Sequence, residues 1–281
     1  MSRKLTFVLT LFLIVCLGAA FASAATLVKK PIRIVGDETR DVPQQGITPR
    51  YHPSQSPGTT VDSTFYDWQQ NGGMDDRIAI YDNAGSAIIH ATAMVAYDDA
   101  AGGWTDRNMN YYYWNGTAWD NPPGLLAVFP ARAGFGGLTM LSNGSAALCA
   151  HADYDGQGNR AAAAYDVFPG LRAFSFYGTD PADIYIWPHL AINSDGSATI
   201  AAESQTTSDV AVARAADTSS DFGPWYNLRT LQPDWMDGAM EWPTIESGTN
   251  GHVGIIVPDA NGGIFFFEST DNGTTWGVTT V

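Results

Sequence analysis

Four glycine turns constrain this chain more than any other feature. Gly85, Gly144, Gly196 and Gly251 stand 59, 52 and 55 residues apart, each behind an Asn or Asp turn former (Asn83-Ala84, Asn143, Asp195, Asn250). Such turns take up the positive φ of a tight hairpin without steric cost. After each one the sequence repeats: SAIIH over 86–90, SAALC over 145–149, SATIA over 197–201 and HVGII over 252–256. Two residues past the glycines lie Ala87, Ala146, Ala198 and Val253; four past lie Ile89, Leu148, Ile200 and Ile255; six past lie Ala91, Ala150, Ala202 and Val257. Side chains alternate along a strand, so these positions are one strand face written four times.

A β-prone run precedes each turn (77–81, 137–141, 187–192, 242–246), and another follows (108–114, 160–167, 209–213, 263–267) before a further turn and a fourth strand. No stretch beyond the N-terminal apolar run keeps a 3.6-residue apolar period. Four up-and-down strands per repeat predict an all-β fold, a β-propeller of four-stranded antiparallel blades. The blades fall near 77–122, 135–179, 186–231 and 241–281, within a propeller region of 59–281. A β-sandwich also uses many short strands, but it needs neither the regular internal copy nor alanine-rich strands. Small residues are what stacked, wedge-shaped sheets require near an axis.

The run Ser269-Thr270-Asp271-Asn272-Gly273-Thr274-Thr275-Trp276 reads S-x-D-x-G-x-T-W, and shorter echoes occur at 115–119 and 219–225. It resembles the Asp-box of sialidase-like (BNR-repeat) β-propellers, of the secreted bacterial type, with Ser269, Asp271, Gly273 and Trp276 at the motif positions. The resemblance implies a structural hairpin away from the ligand site. It also implies six blades, so the chain reads as a fragment: an incomplete ring with further blades after Val281. A four-bladed ring closed by an N-terminal strand over 59–68 is the alternative. Family enzymes clamp a substrate carboxylate with three arginines, the first in an F/Y-R-I-P phrase. The nearest phrase here is Asp75-Asp76-Arg77-Ile78-Ala79, without the aromatic or the proline, and Trp187 and Trp242 stand at the equivalent later strand starts.

The N-terminus carries an export signature. Arg3 and Lys4 precede an apolar run to Ala20, and Ala22-Ser23-Ala24 fits a signal-peptidase site, with cleavage after Ala24. Residues 1–24 read as a signal peptide and 25–58, with five prolines, as an extended leader. The expected location is secreted or at the cell surface, with no membrane insertion after cleavage. Beyond residue 24 the chain has 12 Lys plus Arg against 29 Asp plus Glu, and no lysine after Lys30. Without a basic stripe, nucleic-acid binding is excluded. Cys149 is then the only cysteine, read as a buried structural thiol, and no intrachain disulfide is available.

Two groups of residues carry candidate chemistry. Trp187-Pro188-His189 and Glu241-Trp242-Pro243 lie 55 residues apart at the starts of innermost strands, beside Asp76 and Arg77 in the first blade. Aromatic faces stack on sugar rings and carboxylates bond to hydroxyls, so Arg77, Asp76, Trp187, His189, Glu241 and Trp242 form a candidate ligand-binding mouth. The competing readings are a salt bridge from Arg77 to Asp75 or Asp76, and Trp-Pro as a blade-entry corner. Asp153, Asp155, Gln157 and Asn159 have the spacing of a calcium loop, although Ala164 stands where its bidentate Glu belongs; an ordinary acidic turn is the other reading. Calcium is the one cofactor the sequence suggests. The expected function is a monomeric extracellular binding module, probing a glycan or another protein and without catalysis. The alternative is an exo-acting sialidase-type glycoside hydrolase completed by residues outside this fragment.

Overall fold

The computed structural model describes residues 60–66, 75–83, 85–98, 104–120, 126–232, 242–258 and 263–280. The signal peptide with its cleavage site at Ala24, the leader over 25–58 and Glu241 lie outside these residues. The strands form four antiparallel sheets, taken up in chain order. The first holds β1 (Ile78–Asn83), β2 (Ser86–Val95), β3 (Asn108–Trp114) and β4 (Trp119–Asp120). The second holds β5 (Ala133–Gly134), β6 (Leu138–Met140), β7 (Ala146–Ala152), β8 (Arg160–Asp166) and β9 (Phe174–Gly178). The third holds β10 (Tyr185–Ile192), β11 (Ala198–Ser204), β12 (Val210–Ala215) and β13 (Tyr226–Asn227). The fourth holds β14 (Thr244–Ser247), β15 (Val253–Pro258), β16 (Ile264–Ser269) and β17 (Gly277–Thr280).

Each sheet runs up and down through neighbouring strands, and the four repeat glycines sit at the first hairpin of each with φ of +89°, +82°, +86° and +80°. In the second sheet β5 and β6 are halves of one innermost strand, both paired with β7 and separated by Phe135 at φ +50°. The same one-residue slip occurs in β10 between Ile186 and His189, around Trp187 at φ +53°. The Trp-Pro corner is therefore a β-bulge, a device that re-aims side chains where pairing is interrupted.

Successive sheets stack face to face. Leu138, Ala146, Leu148 and Ala150 pack against Met94, Met109 and Tyr111 of the first sheet. Ala147, Cys149, Ala161 and Ala163 meet Leu190, Ala198, Ile200 and Ala202 of the third. Ala191, Ala201, Val210 and Val212 meet Ile245, Val253, Ile255 and Phe267 of the fourth. The innermost strands of neighbouring sheets touch (β1 with β6, β6 with β10, β10 with β14), which places them side by side along one axis. Four-stranded up-and-down sheets stacked in sequence with their first strands innermost are propeller blades. Cys149 is fully buried between blades, accepting from Gly137 N–H at 3.3 Å and donating to Pro188 O at 3.1 Å, and burial pushes its thiol pKa up.

The segment 60–66 does not join the fourth sheet, as a ring closed by residues 59–68 would require. It lies on the first: Phe65 N–H donates to Ala96 O at 2.9 Å, and Asp62 accepts from Asn110 and Tyr112 at 2.8 and 2.7 Å. The Ser269–Trp276 turn is tied by its own side chains. Ser269 Oγ donates to Asp271 Oδ1 and accepts from Gly273 N–H, Thr275 N–H donates to Asp271 Oδ1, and Trp276 Nε1–H donates to Gly273 O.

Candidate functional site

A cavity of ≈ 460 Å³ lies between the second and third blades, on their outer side. Its frame is Arg160, at the start of β8 and with 3% of its side chain exposed. Arg160 donates through Nε to Thr179 O (2.8 Å), through Nη1 to Asp155 Oδ1 (3.0 Å) and Gly158 O (3.3 Å), and through Nη2 to Asp155 Oδ2 (2.8 Å) and Tyr154 Oη (3.1 Å). Its guanidinium carbon also lies 4.8 Å from the Tyr154 ring centre. Every N–H of the fork is spent, so the arginine is a bracket that orients Tyr154 and Asp155. The Arg160 hydrogen bond lowers the Asp155 pKa to about 2.

The third blade closes the other wall. Asp221 Oδ1 accepts Gly178 N–H at 3.1 Å, and Phe222 N–H donates to Gly178 O at 3.0 Å. A Cβ on Gly178 would stand 2.4 Å from Tyr154 Oη, so the glycine is what lets the tyrosine lie across the end of β9. Asp180, Asp183 and Gln157 complete a lining that sets the rings of Tyr154 and Phe222 among several carboxylate and amide oxygens. Carboxylates accept from hydroxyls and amines, and the rings offer apolar faces. The lining's one arginine is already neutralised, so the cavity suits a polyhydroxylated ligand without negative charge.

Of the four residues that suggested calcium, Asp155 and Gln157 line this wall, and Asp153 and Asn159 do not. Asp155 gives both oxygens to Arg160, Gln157 turns back to Asp155 at 3.0 Å, and Asp153 accepts Gly158 N–H at 3.0 Å. Among the described residues no group of three or more His, Cys, Asp or Glu is placed to hold a metal ion. Sequence reading missed Tyr154, Asp180 and Asp221 as lining residues. The available signal was Arg160, closing the acidic run 153–159 with a countercharge.

The axial mouth is built as well. Trp187 and Trp242 meet edge to face with centroids 5.9 Å apart, so the 55-residue spacing does bring the two corners together. His189 exposes 2% of its side chain, with Nδ1 3.4 Å from Asp75 Oδ1. Asp75 Oδ2 accepts Leu190 N–H at 3.0 Å, and a Cβ on Gly137 would stand 2.2 Å from Asp75 Cβ. Asp75 thus links three blades at the axis. Asp76 is exposed, and its carbonyl accepts Leu138 N–H. Arg77 is half-buried, and burial lowers its pKa. The Glu246 carboxyl is pushed up by burial and by Asp76 and Asp75. Neither Asp75's role as a hub nor Glu246 was expected from sequence.

No protein-family model matches the sequence, and neither does any curated protein. Among solved structures, the chain is similar to a protein of unknown function from Dyadobacter fermentans (11% identity, 73% of this chain and 64% of that one, TM-score 0.49). It is similar to the Hadza microbial sialidase Hz136 (12% identity, 73% and 44%, TM-score 0.48). It is also similar to a fungal lectin from Aleuria aurantia, a six-bladed β-propeller that recognises fucose (9% identity, 74% and 61%, TM-score 0.48). The chain spans less than two thirds of the length of each of the three. At these identities the likeness assigns no role to any residue.

Proposed function

We propose that the chain is an exported glycan-binding propeller module that takes an uncharged sugar in the cavity between its second and third blades. The observation that carries this reading is the Arg160 bracket, which fixes Tyr154 and Asp155 in the wall while offering no cation of its own. An aromatic face beside convergent acceptors is the chemistry that holds a sugar ring by its C–H face and its hydroxyls. A carboxylated sugar would need bidentate guanidinium pairs, and the arginine in this wall has none to give.

A glycan array with neutral and sialylated members, followed by calorimetric titration of the best binder, tests the reading. The expected result is binding of neutral glycans alone, weakened at least tenfold by Tyr154→Ala while the circular dichroism spectrum is unchanged. Binding confined to sialylated glycans, or indifferent to Tyr154→Ala, would overturn it. A fluorogenic sialoside in the same assay reports the hydrolase alternative.

A further inference from the structure

The outer edge of the third blade separates two spaces. Phe222 packs with the second blade and Val212 with the fourth, so the stretch over 222–226 divides one interblade space from the next. On its far side a second cavity, ≈ 240 Å³, lies between the third and fourth blades. Val212, Arg214 and Tyr226 form one wall, and Gly273, Thr274 and Trp276 of the Ser269–Trp276 turn form the other. Val212 pairs with Tyr226, and Arg214 lies two residues further along the same strand face. Gly223 and Pro224 line this cavity and also the ≈ 460 Å³ cavity on the near side. The two spaces therefore adjoin across one dipeptide at the rim.

The ridge between them is low. A Cβ on Gly223 would meet nothing within 4 Å except Arg214 O at 3.3 Å, so a side chain here would stand in the open space above the ridge. The Gly223 backbone is not in the left-handed region, so turn geometry does not itself call for glycine at this position. The far wall also differs in chemistry from the near one. Arg214 gives Nε to Asn272 O at 2.7 Å and Nη2 to Asp195 Oδ2 at 3.0 Å. The ion pair neutralises its charge, and its Nη1 has no partner among the described residues, with 29% of the side chain exposed. The near cavity thus offers mostly acceptors, and the far one adds a donor. Two rings face the far cavity: Trp276, held by its Nε1–H on Gly273 O at 3.2 Å, and Tyr226, which is 41% exposed.

We propose that the two cavities are successive subsites for one linear, neutral oligosaccharide that crosses the rim over Gly223 and Pro224, an assignment that rests on the near cavity being a sugar site. One sugar lies against Tyr154, and a later one lies against Tyr226 and Trp276. The ligand class is then a polysaccharide chain and not a single terminal sugar. Once the first unit is seated, the second contact is intramolecular, so affinity rises with chain length until both cavities are filled. Acceptors at one end and a donor at the other give the chain a direction.

Calorimetric titration of the purified chain with cello-, xylo-, manno- and galacto-oligosaccharides of one to six units tests this. In at least one series the affinity should rise at least tenfold from the monosaccharide to the tetrasaccharide and then level off. Tyr226→Ala should cut that ratio at least fivefold. Gly223→Leu, which fills the ridge and leaves the rings in place, should do the same, with circular dichroism checking that both variants are folded. Binding that weakens with Tyr154→Ala yet ignores chain length would sink the two-subsite chain and leave the single-sugar reading standing. So would a gain with length that survives both Tyr226→Ala and Gly223→Leu, since the added units would then lie elsewhere. Indifference to Tyr154→Ala, or no binding in any series, would overturn the sugar reading of the near cavity together with this one.

Discussion

The second and fourth blades are built from the same repeat and differ in how many neighbours they have. In the second, every residue of β7 and β8 is buried, and the strands read AALCAHA and RAAAAYD, with no polar alternation. In the fourth, β15 alternates buried and open positions: Val253, Ile255 and Val257 inside, with Ile256 and Pro258 exposed. A sheet covered on both faces needs small apolar residues throughout, whereas one covered on a single face needs them at every second position. Burial on both sides selects alanine here because two sheets must approach from opposite directions. Where only one approaches, valine, isoleucine and phenylalanine fill the space. The number of layers on a sheet, more than its strand order, decides its composition.

The strongest way to break that contrast is to cut equivalent amounts from each kind of face. Leu148→Ala removes a fully buried side chain between two layers and should cost about 2–5 kcal/mol. Ile256→Ala removes a side chain that is 48% exposed and should stay within about 0.5 kcal/mol. Denaturant unfolding monitored by tryptophan fluorescence gives both numbers. Similar losses at the two sites would mean that Ile256 is covered in solution.

How far the sequence could be read follows from the same contrast. The hairpin glycines and the alternate positions after them were legible because turn chemistry and period-two spacing are local. The repeated strand face read from the sequence carries Leu148, Ile200 and Ile255, each of which is fully buried. Ile89 stands on the same face but is only half-buried, because among the described residues no preceding blade packs on the first. The site was harder. The spacing of Trp187 and Trp242 foretold their meeting, since a repeat puts equivalent residues at equivalent corners. The cavity between the second and third blades was not foreseen, because its walls come from unlike parts of neighbouring repeats: a hairpin over 153–159, a connection over 179–183 and a turn over 221–224. No period marks such a juxtaposition. Asp155 was open to two readings, calcium ligand or acidic turn, since spacing along the chain does not show which way Arg160 reaches.

The contrast can be sharpened with a buried imidazole. His151 lies in β7, its ring 5.2 Å from that of Phe135, and Arg107 Nη2 lies 3.2 Å from its Nε2. Burial, with Arg107 and Arg132 adding repulsion, lowers its pKa from 6.5 to about 3. The unfolded chain therefore binds a proton near pH 6.5 that the folded chain refuses until about pH 3. Stability from this group is complete above pH 6.5 and falls as the pH drops through that window. Unfolding free energies measured from pH 7 to pH 4 should decline, and His151→Gln should flatten the decline at some cost at neutral pH. An unchanged acid slope in the variant would show that the imidazole is not the group responsible.

The smallest effect separates turn from layer. Gly85 in the first blade and Gly196 in the third both hold positive φ, and a Cβ on either would meet nothing within 4 Å. Alanine at these positions carries only the backbone penalty of the left-handed region, about 1–2 kcal/mol. Part of that is offset by the lower entropy of the unfolded chain. Gly85→Ala and Gly196→Ala should therefore cost the same, about 1 kcal/mol each, although the third blade is covered on both faces and the first on one. Paired denaturation curves resolve a difference of that size. A much larger loss at Gly196 would mean that a strained turn displaces the sheets packed on both sides of it, and that turn geometry and layer number do not act independently in this fold.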